Sequence, residues 1–136
     1  MKTNFKIIDN YALKFDGKLI DIHNNFDFVG FDYRVKENQL KFFCRRSFGE
    51  WVNKEEPEEI VLIHNNVNEL AIENQNKNRE DSLIEITFYE KGKLRKSEEL
   101  TLREKSNDDD NIFYIFESGQ VIQIGCEEIV LEIIKI

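Results

Sequence analysis

Apolar and polar residues alternate in this chain with a period of two, as where Leu40, Phe42 and Cys44 alternate inward against Lys41 and Arg45, and turn residues break the pattern about every eight to twelve positions. A period of two belongs to an extended strand with one face buried, whereas an amphipathic helix needs apolar residues at i, i+3, i+4 and i+7. No such helical stripe is sustained. The chain is therefore limited to folds of short strands, and its connections are too short for the crossover helices of a parallel sheet. The expected fold is all-β, a single antiparallel β-sandwich of about ten strands with little helix, with residues 1–136 as one domain.

Punctuation places the candidate strands. Phe5 to Ile8, Tyr11 to Phe15 and Lys18 to His23 come first, and Asp16-Gly17 between the last two suits a two-residue hairpin because Gly takes positive φ without strain. Phe26 to Val35 and Gln39 to Arg46 flank Glu37-Asn38 and form the clearest hairpin. Glu59 to Ile63 and Val67 to Glu73 flank Asn65-Asn66, a pair that tolerates left-handed backbone angles. Ser82 to Tyr89 runs into Lys91-Gly92-Lys93, and Leu94 to Glu104 is compatible with either a strand or a short helix. Ile112 to Phe116, Gln120 to Cys126 and Ile129 to Ile136 complete the series. Alternation directs Val29, Phe31, Tyr33, Leu40, Phe42, Ile84, Ile86, Phe88 and Ile124 inward.

A chain of 136 residues buries roughly 68% of its unfolded surface, so its core needs no disulfide or metal staple. Its 19 Lys and Arg against 27 Asp and Glu leave a net charge of −8, which repels a phosphate backbone and argues against nucleic-acid binding. The same charge serves solubility, or presents an acidic face to a basic partner. Near the N-terminus there is no apolar run of the kind a signal peptide needs, and no segment is long enough to span a bilayer. A cytoplasmic protein is expected, with no membrane contact and with Cys44 and Cys126 as reduced thiols on strands.

Catalytic signals are sparse. His23 and His64 each stand beside Asn-Asn with no second ligand at a metal-binding spacing, which reads as structural or solvent-facing histidines. Cys44 or Cys126 could pair with either histidine as a nucleophile, but both thiols lie in apolar alternation, where burial leaves them inert. Asp108-Asp109-Asp110 lacks the alternating spacing of a calcium loop and reads as a solvated turn. No glycine-rich phosphate loop occurs, and no cofactor is expected. Eleven Phe residues fit a filled core, or else an aromatic-lined pocket in a small enzyme or ligand-binding barrel.

One segment departs from the alternation with residues suited to binding. Between Arg45 and Glu59 stand the only Trp and the only Pro, and Phe48 and Trp51 are set among charges. Aromatic residues and Arg dominate the energetic centres of protein interfaces because they bury much area while keeping a polar handle. Arg46, Phe48, Glu50, Trp51, Glu55 and Glu56 are therefore the candidate protein-binding residues. The alternative is that Phe48 and Trp51 fold back as a lid on the core.

Three stretches, FDFVGFDYRVKENQLKFFCRRSFGEWV, PEEIVLIHNNVNELAIENQNKNREDSLIEITFYE and ESGQVIQIGCEEIVLEI, together resemble immunity-like β-sandwich proteins of bacterial polymorphic toxin systems. The resemblance covers about two-thirds of the chain and rests on structural motifs, so it carries over no catalytic residue. It implies a non-catalytic domain that neutralises a cognate toxin, and the net charge of −8 suits a basic toxin domain as the partner.

Overall fold

Strands form where the alternation predicts them. The structure, a computed structural model, describes residues 1–76, 81–91 and 103–136. These form β1 (Lys2–Thr3), β2 (Lys6–Ile8), β3 (Ala12–Phe15), β4 (Lys18–Ile20), the helical turn α1 (Ile22–Asn25), β5 (Phe26–Arg34) and β6 (Gln39–Arg46). There follow β7 (Glu59–Asn65), β8 (Glu69–Glu73), β9 (Leu83–Glu90), β10 (Asp110–Phe116), β11 (Val121–Gly125) and β12 (Glu128–Lys135). A five-stranded sheet has the order β1-β12-β7-β6-β5, a four-stranded sheet β8-β11-β10-β9, and a small meander β2-β3-β4. Pairing is antiparallel except between β1 and β12. The all-β sandwich arrangement stands, with twelve strands among the described residues. The expected Gly92-Lys93 turn, and the Leu94 to Glu104 segment as far as residue 102, lie outside them.

The two larger sheets meet through aromatic rings. Phe42 of the five-stranded sheet stacks on Tyr114 of the four-stranded sheet with centroids 4.1 Å apart. Phe28 lies 4.4 Å from Phe42 and 5.1 Å from Phe116. These inward Phe and Tyr side chains fill the core against one another. Phe5, Ile7, Leu13, Ile20 and Ile22 join the same cluster from the meander and α1. The chain changes sheet at two neighbouring corners, after β7 and after β11, which are tied together where Glu127 N donates to Asn65 O at 3.1 Å and Asn68 N to Gly125 O at 2.9 Å.

Turn chemistry follows the sequence. Asp16 and Gly17 both have positive φ, 49° and 74°, as a hairpin turn of the I′ type requires, and Asp9 and Asn10 do the same at 49° and 60° without a glycine. Asn38 and Asn66 also adopt left-handed angles.

Three expected core positions are corrected, and two of them share one cause. In β5, Phe28 pairs with Cys44 and Gly30 with Phe43, so Val29 is an extra residue in a β-bulge. The bulge reverses the parity: Phe26 and Phe28 point inward before it, Phe31 and Tyr33 after it. Val29 consequently faces out and is 58% exposed. In β9, Leu83 pairs with Phe116 and Glu85 with Ile115, so Ile84 is the bulged residue, 42% exposed, while Leu83 is buried in its place. Phe31 does stand on the core side opposite Phe42, but β5 is an edge strand and leaves it 37% exposed. Leu40, Phe42, Ile86, Phe88 and Ile124 are fully buried as expected, and Tyr33 packs half-buried against them.

The expected strand Lys18 to His23 ends early. Asp21 caps a short helical turn by accepting from Asn24 N at 2.9 Å, so His23 lies on α1. Among the described residues, no helix is long and apolar enough to cross a membrane.

Candidate functional site

The segment 47–58 leaves the end of β6 and returns as β7, so its two stems are adjacent strands of one sheet. Its conformation is set by hydrogen bonds from its own ends. Arg46 Nη1 donates to the carbonyls of Glu56 and Lys54 at 2.7 and 3.0 Å, and Arg46 N donates to Glu58 O at 2.7 Å. Glu56, although charged, is buried: its Oε2 accepts from Asp21 N at 2.9 Å and from Asn25 Nδ2 at 3.2 Å. Ser47 joins β5 through Asp27 at 2.7 Å, and Val52 is buried beneath the loop. Arg46 therefore braces the loop from within, and Glu56 ties it to Asp21 and Asn25 at α1.

Phe48 and Trp51 have the opposite disposition. Phe48 is 87% and Trp51 70% exposed, so neither folds back as a lid on the core. Trp51 is nonetheless positioned. Its Nε1 donates to Asn24 O at 3.3 Å, and its ring covers Gly49, where a Cβ would fall on the ring atoms. Gly49 is thus required by the close approach of the indole. Glu50 and Glu55 are exposed beside it, and Glu55 N closes a turn on Asn53 Oδ1 at 3.0 Å.

Clefts open on both flanks of the loop. One, of about 300 Å³, is lined by Arg45, Ser47, Phe48, Val52 and Lys54 together with Glu58. The other, of about 340 Å³, lies among Leu19, Pro57, Ile133 and Ile136. Leu19, Ile133 and Ile136 gather exposed apolar surface at this second cleft. Exposed apolar residues gathered in one place, unlike scattered ones, mark an interaction surface.

No protein-family model, curated protein or solved structure matches the chain. The site is accordingly read from its own chemistry.

The other sequence candidates are placed elsewhere. His64 is fully buried in β7, where Nδ1 donates to Leu40 O at 2.9 Å and Nε2 accepts from the Tyr114 hydroxyl at 2.7 Å. A backbone carbonyl only accepts, which fixes the proton on Nδ1. Burial lowers its pKa to about 4, so the imidazole is neutral, with Nδ1 held within its own sheet and Nε2 joined to the facing sheet. Periodicity puts position 64 on the inward face of β7, but its partner fifty residues away on another sheet left no mark in the sequence. His23 bonds Leu83 O through Nδ1 at 2.7 Å.

Cys44 and Cys126 are free and buried. Burial pushes both thiols up, Cys126 to about 12, which disfavours a thiolate at neutral pH. The three aspartates separate. Asp108 and Asp109 are exposed, but Asp110 begins β10, is buried, pairs with Arg103 and accepts from Asn107 N at 2.7 Å. Asp110 is therefore part of the scaffold, a correction to the reading of all three as a solvated turn. Among the described residues, no group of His, Cys, Asp and Glu side chains is arranged to hold a metal ion.

Proposed function

We propose that this chain is a non-catalytic protein-binding domain of the immunity type, which caps a toxin domain of bacterial origin with the loop 47–58. The observation that carries the reading is the exposure of two aromatics on a braced loop: Phe48 and Trp51 face solvent, Arg46 and Glu56 hold the loop backbone, and the Trp51 indole is placed over Gly49 by its bond to Asn24 O. A large aromatic side chain already held in place gives up little entropy on binding, which is the property of an interface anchor. Glu50 and Glu55 border the anchors, and the chain's net charge of −8 favours rapid encounter with a basic partner at low ionic strength. A reducing, cytoplasmic setting goes with the two free thiols.

The partner is sought in the adjacent reading frame, as a larger protein with a toxin-like C-terminal domain. The two proteins should copurify in moderate salt. Trp51→Ala and Phe48→Ala should each weaken the complex by more than about 1 kcal/mol without unfolding the domain. Failure of the adjacent product to bind would remove the immunity reading and leave the β-sandwich without a partner.

A further inference from the structure

We propose that the outward face of the five-stranded sheet is where two copies of this chain pair about a two-fold axis. The inward face is covered by the four-stranded sheet, but the outward one is open, with Arg45 and Glu132 exposed and Ile134 50% exposed. Across its middle run apolar residues, half-buried Phe43 beside Val61, which its own neighbours bury, in one cross-strand row and half-buried Ile63 beside Val130 in the next.

The rows that bound this apolar centre determine the occupant. At one end, cross-strand pairing places Asp27, Arg45, Glu59 and Lys135 side by side on β5, β6, β7 and β12. Their signs alternate, negative, positive, negative, positive. A row of this kind read backwards is its own complement. If a copy is turned about an axis running along the strands between β6 and β7, Arg45 faces Glu59 of the second copy and Asp27 faces Lys135 of the second copy.

The far row obeys the same rule. Arg34 pairs with Gln39, and Gln39 Nε2 donates to Asn65 Oδ1 at 2.9 Å, whose Nδ2 donates to Glu128 Oε1 at 3.0 Å. Turned about the same axis, Arg34 faces Glu128 of the second copy, and Gln39 faces Asn65 of the second copy. In the two rows between them Phe43 lies over the row position of Val61 in the second copy, and Asp32, which pairs with Arg34 of its own chain, Lys41 and Glu132 meet no charge of their own sign. Self-complementarity of one patch under a two-fold is the defining property of an isologous interface. Two chains of net charge −8 repel overall, so a face whose charges oppose one another row by row is the surface on which they can meet. Face-to-face packing of two sheets about 10 Å apart with strands nearly aligned is an ordinary sandwich geometry.

Sedimentation of the full chain at about 100 µM in low salt tests this, a concentration at which a pair of micromolar affinity is mostly dimeric. Wild type should sediment at twice the 16.2 kDa of one chain. Arg45→Glu alone sets Glu against Glu59 of the second copy, and Glu59→Arg alone sets Arg against Arg45, at two contacts per pair, so each variant should lose more than about a thousandfold in association and run as a monomer. Mixed in equal amounts, the two variants present opposite charges at both contacts and should form a heterodimer. If either variant fails to fold by circular dichroism, Arg34→Glu and Glu128→Arg make the same reciprocal pair at the other end. A monomeric wild type, single variants that still dimerise, or folded variants that remain monomeric when mixed would overturn the proposal. Trp51→Ala should leave the dimer intact, which separates this face from the partner-binding loop.

Discussion

At the residue scale, the structure divides polar groups between those that build the molecule and those left exposed. His64 belongs to the first kind. Its imidazole is neutral in the fold with a pKa near 4, whereas an unfolded histidine titrates near 6.5. Because the folded pKa is the lower, the unfolded state takes up the proton first as pH falls. The stabilisation is complete above pH 6.5 and is lost progressively down to pH 4, in total about 3 kcal/mol. Urea unfolding followed from pH 7 to pH 5, above the range of ordinary carboxylates, should show this slope, and His64→Gln should flatten it. Gly49 gives a second case. Gly49→Ala must displace the Trp51 ring, because the new Cβ would occupy the same space. The ring is mostly exposed and can swing away, so the melting temperature should scarcely change while the emission of this single tryptophan shifts and partner binding weakens. The buried thiols yield a third expectation: native protein should react slowly with a thiol reagent, and unfolded protein, with no reductant added, should show both groups.

At the scale of elements, edge strands are where the sequence and the structure part. Leu83 and Ile84 are adjacent and equally apolar, yet only Leu83 is buried, because the β9 bulge sets the parity. Leu83→Ala should cost about 2–5 kcal/mol by opening a cavity, and Ile84→Ser should change stability by less than about 1 kcal/mol. Chemical denaturation of the two variants checks this directly. Central strands such as β6 and β10 were legible because one slip of register would expose their whole apolar set. The bulges were not, since an extra residue on an edge leaves little trace in composition. Apolar residues on both parities of β5, Phe26 and Phe28 and then Phe31 and Tyr33 around Gly30, were the available sign. Gly30 sits in the bulge at φ 148°, which a side chain would resist. In the loop the residue types were legible and their division of labour was not: Arg46 and Glu56 looked like contact residues but serve as internal struts, because hydrogen bonds to backbone carbonyls and amides have no sequence signature.

At the scale of the whole molecule, two sheets closed around stacked aromatic rings form a rigid support, and the loop between β6 and β7 presents Phe48 and Trp51 from one end of it. Charge acts on a separate step. Asp108 and Asp109 are exposed, so replacing them with Asn should slow association with a basic partner at low salt while leaving dissociation unchanged; Asp110→Asn should instead lower stability by breaking its buried pair with Arg103. The most direct test of the account is a calorimetric titration of the adjacent frame's toxin-like domain into wild type, Phe48→Ala and Trp51→Ala at one salt concentration. The account predicts saturable binding by wild type and a loss of roughly fivefold or more in affinity for each folded variant. Equal affinity in all three would contradict it.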